Sequence, residues 1–387
     1  MHRRSFLQTG SAAVGALTLA GCTTATTPRP RIAFDPTVVL HPMRADNARI
    51  LKVTVCTRPF RAAGPRLELE RVGDKIVVHN YGHGGSGWSL SWGYANLAVE
   101  QALATGQRDL AVLGCGALGL TAALTAQRNG AHVTIYAKDL PAETRSANAT
   151  GTWSPDSRVA LQSAVTPAFE QRWESIARSS FRTHLSLLGV EGAPVEWVDR
   201  YILSDEPWNA PNDPTDGPDF AELRHLIRGL APQLQEVEPG THPFPVPYVK
   251  RNASLQFNVT SLQHRLVQDF LAAGGKIERR EFHAPSELAK LKQKTIINCT
   301  GYGARALWRD ESVIPVRGQL TWLLPQAEVR YGVIYHDMIA IPRSDGIIVQ
   351  RDTEATGFNN PDTTPDRAEA ERAVASLAEL MGKMRTS

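Results

Sequence analysis

Asp109-Leu-Ala-Val-Leu-Gly114-Cys-Gly116-Ala-Leu-Gly119 is the stretch whose reading decides the fold. Asp109–Leu113 is an apolar run of strand length, and the three glycines follow it without a break. Leu120 to Asn129 then carries a helical pattern, Gly130 ends it, and Ala131–Tyr136 is a second strand. In this strand–turn–helix–strand context the G-x-G-x-x-G spacing acquires a physical meaning. Gly114 permits the tight turn. Gly116 lets a pyrophosphate approach the backbone at a helix N-terminus, where unpaired N–H groups and the helix dipole favour negative charge. Gly119 lets the helix pack on the strand. The stretch predicts a Rossmann-type α/β domain that binds a nucleotide. An acidic residue for a ribose hydroxyl is expected after the second strand, but Tyr136 is followed by Ala137 and Lys138, so Asp139 is the nearest candidate. On this loop alone FAD, NAD and NADP all remain open.

Outward from the loop, 387 residues leave room for two cores. The chain is 42% hydrophobic and 21% charged, with a net charge of +3 and no concentrated basic stripe, which argues against nucleic acid as a main partner. Residues 1–22 read as an export signal: Arg3-Arg4 resembles the twin-arginine signal and Leu19-Ala-Gly-Cys22 a bacterial lipobox, with Cys22 the site of lipidation. Residues 23–35, rich in Thr and Pro, read as a tether. The expected location is therefore the periplasmic side of a bacterial membrane, lipid-anchored. Cys56, Cys115 and Cys299 are widely spaced and predict no disulfide framework. HExxH, CxxC and G-x-S-x-G are absent from the sequence, so metal hydrolysis, thiol redox and serine esterase chemistry have no support, and no metal is expected.

A second glycine turn lies upstream. Lys75–Asn80 reads as a strand, Tyr81-Gly-His-Gly-Gly-Ser-Gly87 follows, and a helix is expected from Gly87 to about Ala104. Gly84, Gly85, Ser86 and Gly87 present backbone N–H groups at a helix N-terminus, which suits the carbonyl edge of an isoalloxazine ring. His79 and His83 belong to this turn, and structural hydrogen bonding is the favoured role for both.

These residues resemble the D-amino-acid oxidase family of FAD-dependent oxidoreductases. His79–Gly87 (HNYGHGGSG) matches its signature, with Ser86 where an aromatic residue is common. Thr57–Arg61 (TRPFR), Gly151–Trp153 (GTW), Asn298–Gly301 (NCTG) and Pro315–Gln319 (PVRGQ) extend the match over nearly the whole mature chain. The resemblance implies an FAD-binding Rossmann-type domain in two parts, 48–155 and 256–308, and a mixed-sheet α+β substrate domain in two parts, 156–255 and 309–387. Helices are expected near Pro167–Leu188 and Phe220–Leu230, with strands at Ile314–Leu324 and Met338–Gln350. The order of the motifs departs from the family: the segment that closes its chains, here Ala48–Gly93, precedes the nucleotide loop. This reads as a circular permutation, with the helix after Gly87 and Thr105–Arg108 joining the two loops, and the break between a helix ending near Met384 and a strand at Arg49.

The resemblance also implies site residues. Gly114, Gly116, Gly119, Asp139, Gly151, Gly84, Gly85, Ser86 and Gly87 would hold FAD. Arg58 stands at the position of the guanidinium that clamps the substrate carboxylate. The Gly85 carbonyl would accept from the substrate amine, and Tyr335 matches one pocket tyrosine. The second pocket tyrosine is replaced by Ile339. The leading expectation is oxidative deamination of a D-amino acid, with hydride passing to flavin N5 and oxygen yielding hydrogen peroxide. A dehydrogenase for an amine or imino acid, passing electrons to a quinone, is the second expectation. A flavin-binding lipoprotein without catalysis is the third.

Overall fold

A computed structural model describes residues 39–209, 217–351 and 357–385. The expected signal and tether, with Cys22, lie outside the described residues. The described residues from Leu40 onward form one compact unit built on two sheets.

The first sheet has six strands. It is ordered β2 (Leu69–Val72), β3 (Lys75–His79), β10 (Thr295–Asn298), β4 (Asp109–Leu113), β5 (His132–Ala137) and β9 (Lys276–Arg279). All neighbours are parallel except β2, which makes an antiparallel hairpin with β3. Both faces are covered, as parallel sheets require. On one face Val78, Leu110, Val112 and Ile135 pack with α1 (Gly87–Leu103), α2 (Ala117–Arg128) and α4 (Val259–Ala272). On the other, Val77, Ala111 and Ile296 meet Leu288, Leu291 and Leu307. The helix expected after the second glycine turn is α1, and it feeds through Thr105–Arg108 directly into β4.

The second sheet has eight strands. It is ordered β1 (Ile50–Phe60), β11 (Ile314–Leu323), β14 (Gly346–Arg351), β13 (Met338–Arg343), β12 (Tyr331–Tyr335), β6 (Val195–Ser204), β8 (Tyr248–Phe257) and β7 (Gln235–Val237). It is mixed, because β12 runs parallel to β6 while the other pairs are antiparallel. One face packs on α6 (Arg367–Gly382) through Val333, Ala340, Val349 and Leu377. The other face looks toward the first sheet's loops. Helix α3 (Pro167–Leu185), capped by the Thr166 hydroxyl accepting from Phe169 N, crosses α1 closely: a Cβ on Gly93 would come within 2.5 Å of the Ile176 carbonyl oxygen.

Three expectations need correction. Strand β1 does not belong with the FAD-binding part that was drawn from residue 48. It pairs along its length with β11, Arg58 opposite Val316, so the first sheet begins at Leu69. Phe220–Leu230 is not a helix beyond a short turn at Arg224–Ile227. Phe220 instead bridges to Leu161 and sets its ring edge-on to Phe60 at 5.2 Å, which keeps the backbone extended. Met338–Gln350 is a hairpin rather than one strand, because Ser344-Asp345-Gly346 turns the chain, with Gly346 at φ +149°.

Candidate active site

A cavity of about 550 Å³ opens where the C-terminal ends of β3, β10, β4 and β5 face the second sheet. Chain continuing from each of these strands lines it: Asn80–Gly85, Cys299–Gly303, Gly114–Leu118 and Lys138–Asp139. That is where open parallel sheets bind ligands.

The nucleotide loop forms the floor. Gly114 has φ +91°, its N–H donates to the Tyr136 carbonyl at 2.8 Å, and an added Cβ would lie 2.7 Å from the Cys299 carbonyl oxygen. Gly116 caps α2 in extended conformation, with Ser146 Oγ 2.7 Å from where a Cβ would be. Gly119 does not line the cavity. It sits where a Cβ would be 1.9 Å from the Gly114 carbonyl oxygen, so its role is the close packing of α2 on the loop. Asp139 reaches the cavity wall after β5, and its carbonyl accepts from the Cys115 thiol at 2.9 Å. Gly151, φ +89°, also lines the cavity, and its carbonyl accepts from Phe257 N–H at 2.6 Å.

The second glycine turn forms the rim. Its amides do not face the cavity as expected: Gly84 N donates to Pro59 O at 2.8 Å, Gly85 N to Ser157 O at 2.9 Å, and Ser86 N to His83 O at 3.0 Å. They hold the turn shut. Leu90 N is the donor to Ser86 O, so the amides left by the start of α1 are those of Gly87, Trp88 and Ser89. Ser86 is buried out of the cavity and donates its hydroxyl to the His83 carbonyl at 2.7 Å. Gly84, Gly85 and Gly87 do line it.

His79 and His83 differ. His79 is held between Asn298 Nδ2 at 3.0 Å and Glu70 Oε2 at 2.9 Å, away from the cavity. His83 lines the cavity and its Nε2 has no hydrogen-bond partner, so structural hydrogen bonding describes His79 and not that atom. Burial pushes the His83 imidazole down to about 3, leaving it neutral.

The roof is one face of the second sheet, and strand parity selects its residues. Arg58 and Cys56 of β1, Leu320 of β11, Gln350 of β14, Ile339 of β13, Ile334 of β12 and Arg200 of β6 all line the cavity. Their pairing is consistent: Ile334 opposes Ile339, which opposes Gln350. The Arg58 guanidinium lies across Gly318, where a Cβ would meet its Nη2 at 2.4 Å, and Nη1 donates to the Arg317 carbonyl at 3.3 Å. Arg317 and Gln319, one residue either side, face α6: Gln319 Nε2 donates to Asp366 O at 2.8 Å, and Gln319 Oε1 accepts from Asp366 N at 2.7 Å. The Cys56 thiol, its pKa raised by burial, donates to Arg145 O at 3.5 Å.

Tyr335 is not in the cavity, which corrects its assignment as a pocket residue. It is one position out of phase with Ile334, so it stands on the α6 face, where its hydroxyl donates to Asp205 Oδ2 at 2.8 Å. Cavity residues missed from the sequence are Arg200, Arg224, Ser146 and Asn80. A signal for Arg200 was present: a lone cation amid the strand run Val195–Ser204 (VEWVDRYILS).

These residues suit an FAD. The glycine floor is a cradle that any side chain would fill, and α1 and α2 both begin at the cavity. His83 Nε2 and Asn80 Oδ1 are buried polar atoms awaiting partners at the rim.

The chain is similar to known proteins. The chain is 25% identical over 292 residues to a D-amino-acid oxidase of Dictyostelium discoideum, covering 72% of this chain and 75% of that one. It is 28% identical over 291 residues to a D-amino-acid oxidase of Rubrobacter xylanophilus, covering 71% and 77%. Among solved structures, glycine oxidase from Geobacillus kaustophilus superposes with a TM-score of 0.49 at 13% identity, over 72% of this chain and 80% of that one. The sequence model of the DAO family, described as FAD dependent oxidoreductase, matches residues 109–386, and the chain belongs to that family of FAD-dependent enzymes acting on amino-acid or amine donors.

Proposed function

We propose that the enzyme oxidatively deaminates a D-amino acid. The observation that carries this reading is Arg58, whose guanidinium lies across Gly318 on the cavity face of the second sheet. A planar fork in that position suits bidentate capture of an α-carboxylate. With the carboxylate held there, the Gly85 carbonyl at the rim is the acceptor for the substrate amine. Leu320, Ile334 and Ile339 make an apolar roof that keeps water from the reacting carbon. Such a site works by position more than by acid or base. FAD, held by the glycine floor and the starts of α1 and α2, would supply a two-electron acceptor for the substrate hydride, with oxygen as the final oxidant and hydrogen peroxide as its product. The imine product hydrolyses to an oxo acid and ammonia. D-amino-acid oxidase names among the relatives support this reading.

The test is anaerobic mixing of FAD-loaded enzyme with a panel of D-amino acids. Loss of the yellow flavin absorbance is expected with at least one member and none with its L-enantiomer. Arg58→Lys should raise KM on the order of 10- to 100-fold, since a point charge replaces a fork. A panel that leaves the flavin oxidised sinks the proposal. Peroxide release in air, against turnover only with a quinone analogue, separates oxygen from quinone as acceptor. The proposed location, the periplasmic face of a membrane with an anchor on Cys22, rests on Arg3-Arg4 and Leu19–Cys22. Labelling with a fatty acid that persists in Cys22→Ser would overturn it.

A further inference from the structure

We infer that Arg200 is a specificity-determining residue that receives a second anionic group, at the distal end of the substrate side chain. This deepens the D-amino-acid reading and rests on it for the nature of the reacting end.

Arg200 sits mid-strand on β6, opposite Gly332 of β12, on the face that also carries Ile334 and Ile339. Its side chain therefore enters the same cavity as Arg58, from the other end of the roof. Other cavity arginines are engaged by the protein. Arg224 pairs with Asp156 at 3.1 Å, Arg145 stacks over Tyr302 at 5.1 Å, and Arg280 over Phe282 at 4.9 Å. Among the described residues no hydrogen bond, ion pair or ring contact reaches the Arg200 guanidinium. Its charged neighbour is another cation, Arg224. Removal from water, with that like charge beside it, holds its guanidinium down at about 10. A half-buried cation facing a cation is costly unless an anion joins it. Asp156 supplies one negative charge for two guanidiniums, and the arrangement is completed by a carboxylate entering from the cavity.

Geometry narrows the ligand further. Four strands, β11, β14, β13 and β12, separate β1 from β6, so a flat sheet would put the two backbones ~24 Å apart. Two arginine side chains directed into the cavity shorten that span, but an α-carboxylate on Arg58 and a second anion near Arg200 still demand an extended molecule. The substrate class is a D-amino acid with a terminal carboxylate on a side chain of several carbons. D-Glutamate and D-2-aminoadipate fit better than D-aspartate.

The experiment uses FAD-loaded enzyme and its Arg200→Leu and Arg200→Lys variants, each checked for bound flavin and thermal midpoint. Anaerobic flavin bleaching is titrated with D-norvaline, D-aspartate, D-glutamate and D-2-aminoadipate. The expected result is half-saturation for D-glutamate and D-2-aminoadipate on the order of 10- to 100-fold below D-norvaline in the wild type. Arg200→Leu should abolish that preference by weakening D-glutamate and D-2-aminoadipate far more than D-norvaline, and Arg200→Lys should keep part of it. A ratio untouched by Arg200→Leu overturns the inference. A second arm uses glutarate and butyrate, which cannot be deaminated, and reads the flavin absorption shift. If no D-amino acid bleaches the flavin, glutarate binding that is lost in Arg200→Leu upholds the anion site while the deamination reading fails. Equal binding of glutarate and butyrate to wild type overturns the site itself.

Discussion

His83 is 2% exposed, edge-on to Tyr94 at 4.4 Å, and His184 is fully buried with Nε2 donating to the Trp88 carbonyl at 3.0 Å. Burial holds the first down to about 3 and the second to about 4, below the ordinary value of 6.5. The unfolded chain takes up these protons near pH 6.5 and the folded one does not. Their stabilising contribution is therefore complete above that pH and is lost as pH falls toward the folded values, at about 1.4 kcal/mol per pH unit per histidine. Urea unfolding at pH 7.0, 6.0 and 5.0 should show this decline, and His184→Gln should flatten it by one histidine's share. An unchanged slope in that variant would show that His184 titrates normally. Tyr335 yields a second expectation at this scale. Because its hydroxyl donates to Asp205 on the α6 side, Tyr335→Phe should leave kcat/KM within about twofold, the usual reach of a substitution outside the site. Ile339→Tyr, on the cavity face, should change the substrate panel instead.

Among the elements, the second glycine turn tolerates little change. Gly84 has φ +54°, and a Cβ there would stand 1.9 Å from the Arg158 carbonyl oxygen. Gly73 has a similar φ of +59° in the β2–β3 hairpin, with open space around it. Alanine at Gly73 should cost about 1 kcal/mol from backbone strain alone. Alanine at Gly84 should cost clearly more and release the flavin, measured as the absorbance ratio at 450 and 280 nm. Both turns could be read from the sequence because their geometry is local: a glycine spacing, a strand before it and a helix after it. The roof could not be read that way. Both faces of the central strands are covered, so Tyr331–Tyr335 (YGVIY) is apolar on each side and the alternation that would separate Ile334 from Tyr335 vanishes. Arg200 was overlooked for the same reason, since only the pairing with β12 shows which way β6 points. Strand β1 was placed in the wrong sheet because it precedes β2 in sequence, whereas its partner β11 lies some 260 positions later.

For the whole molecule, we propose that the order of the parts is separable from their packing. Met43 N–H donates to Met381 Sδ at 3.3 Å, the Tyr331 hydroxyl donates to His41 O at 2.9 Å, and Arg385 N donates to Pro243 O at 2.9 Å. The segment starting at Leu40 thus shares one core with the end of α6, as Met43, Met381 and Met384 do. At the other junction Gly106, Gln107 and Arg108 are exposed, and nothing lies within 4 Å of a Cβ on Gly106. Neither junction carries core contacts that need a particular connection. A rearranged chain running from Gln107 to Arg385, through a glycine–serine linker of about 8 residues, then from Leu40 to Gly106, keeps every strand pair of both sheets. It should fold, retain the flavin absorbance and melt within about 5 °C of the parent. In it the nucleotide loop opens the chain and the second glycine turn closes it, the order expected of the resembling family. If the rearranged chain binds no flavin while the parent does, α1 and its passage through Thr105–Arg108 into β4 are required to bring the two glycine loops together, and the permuted reading of this sequence fails.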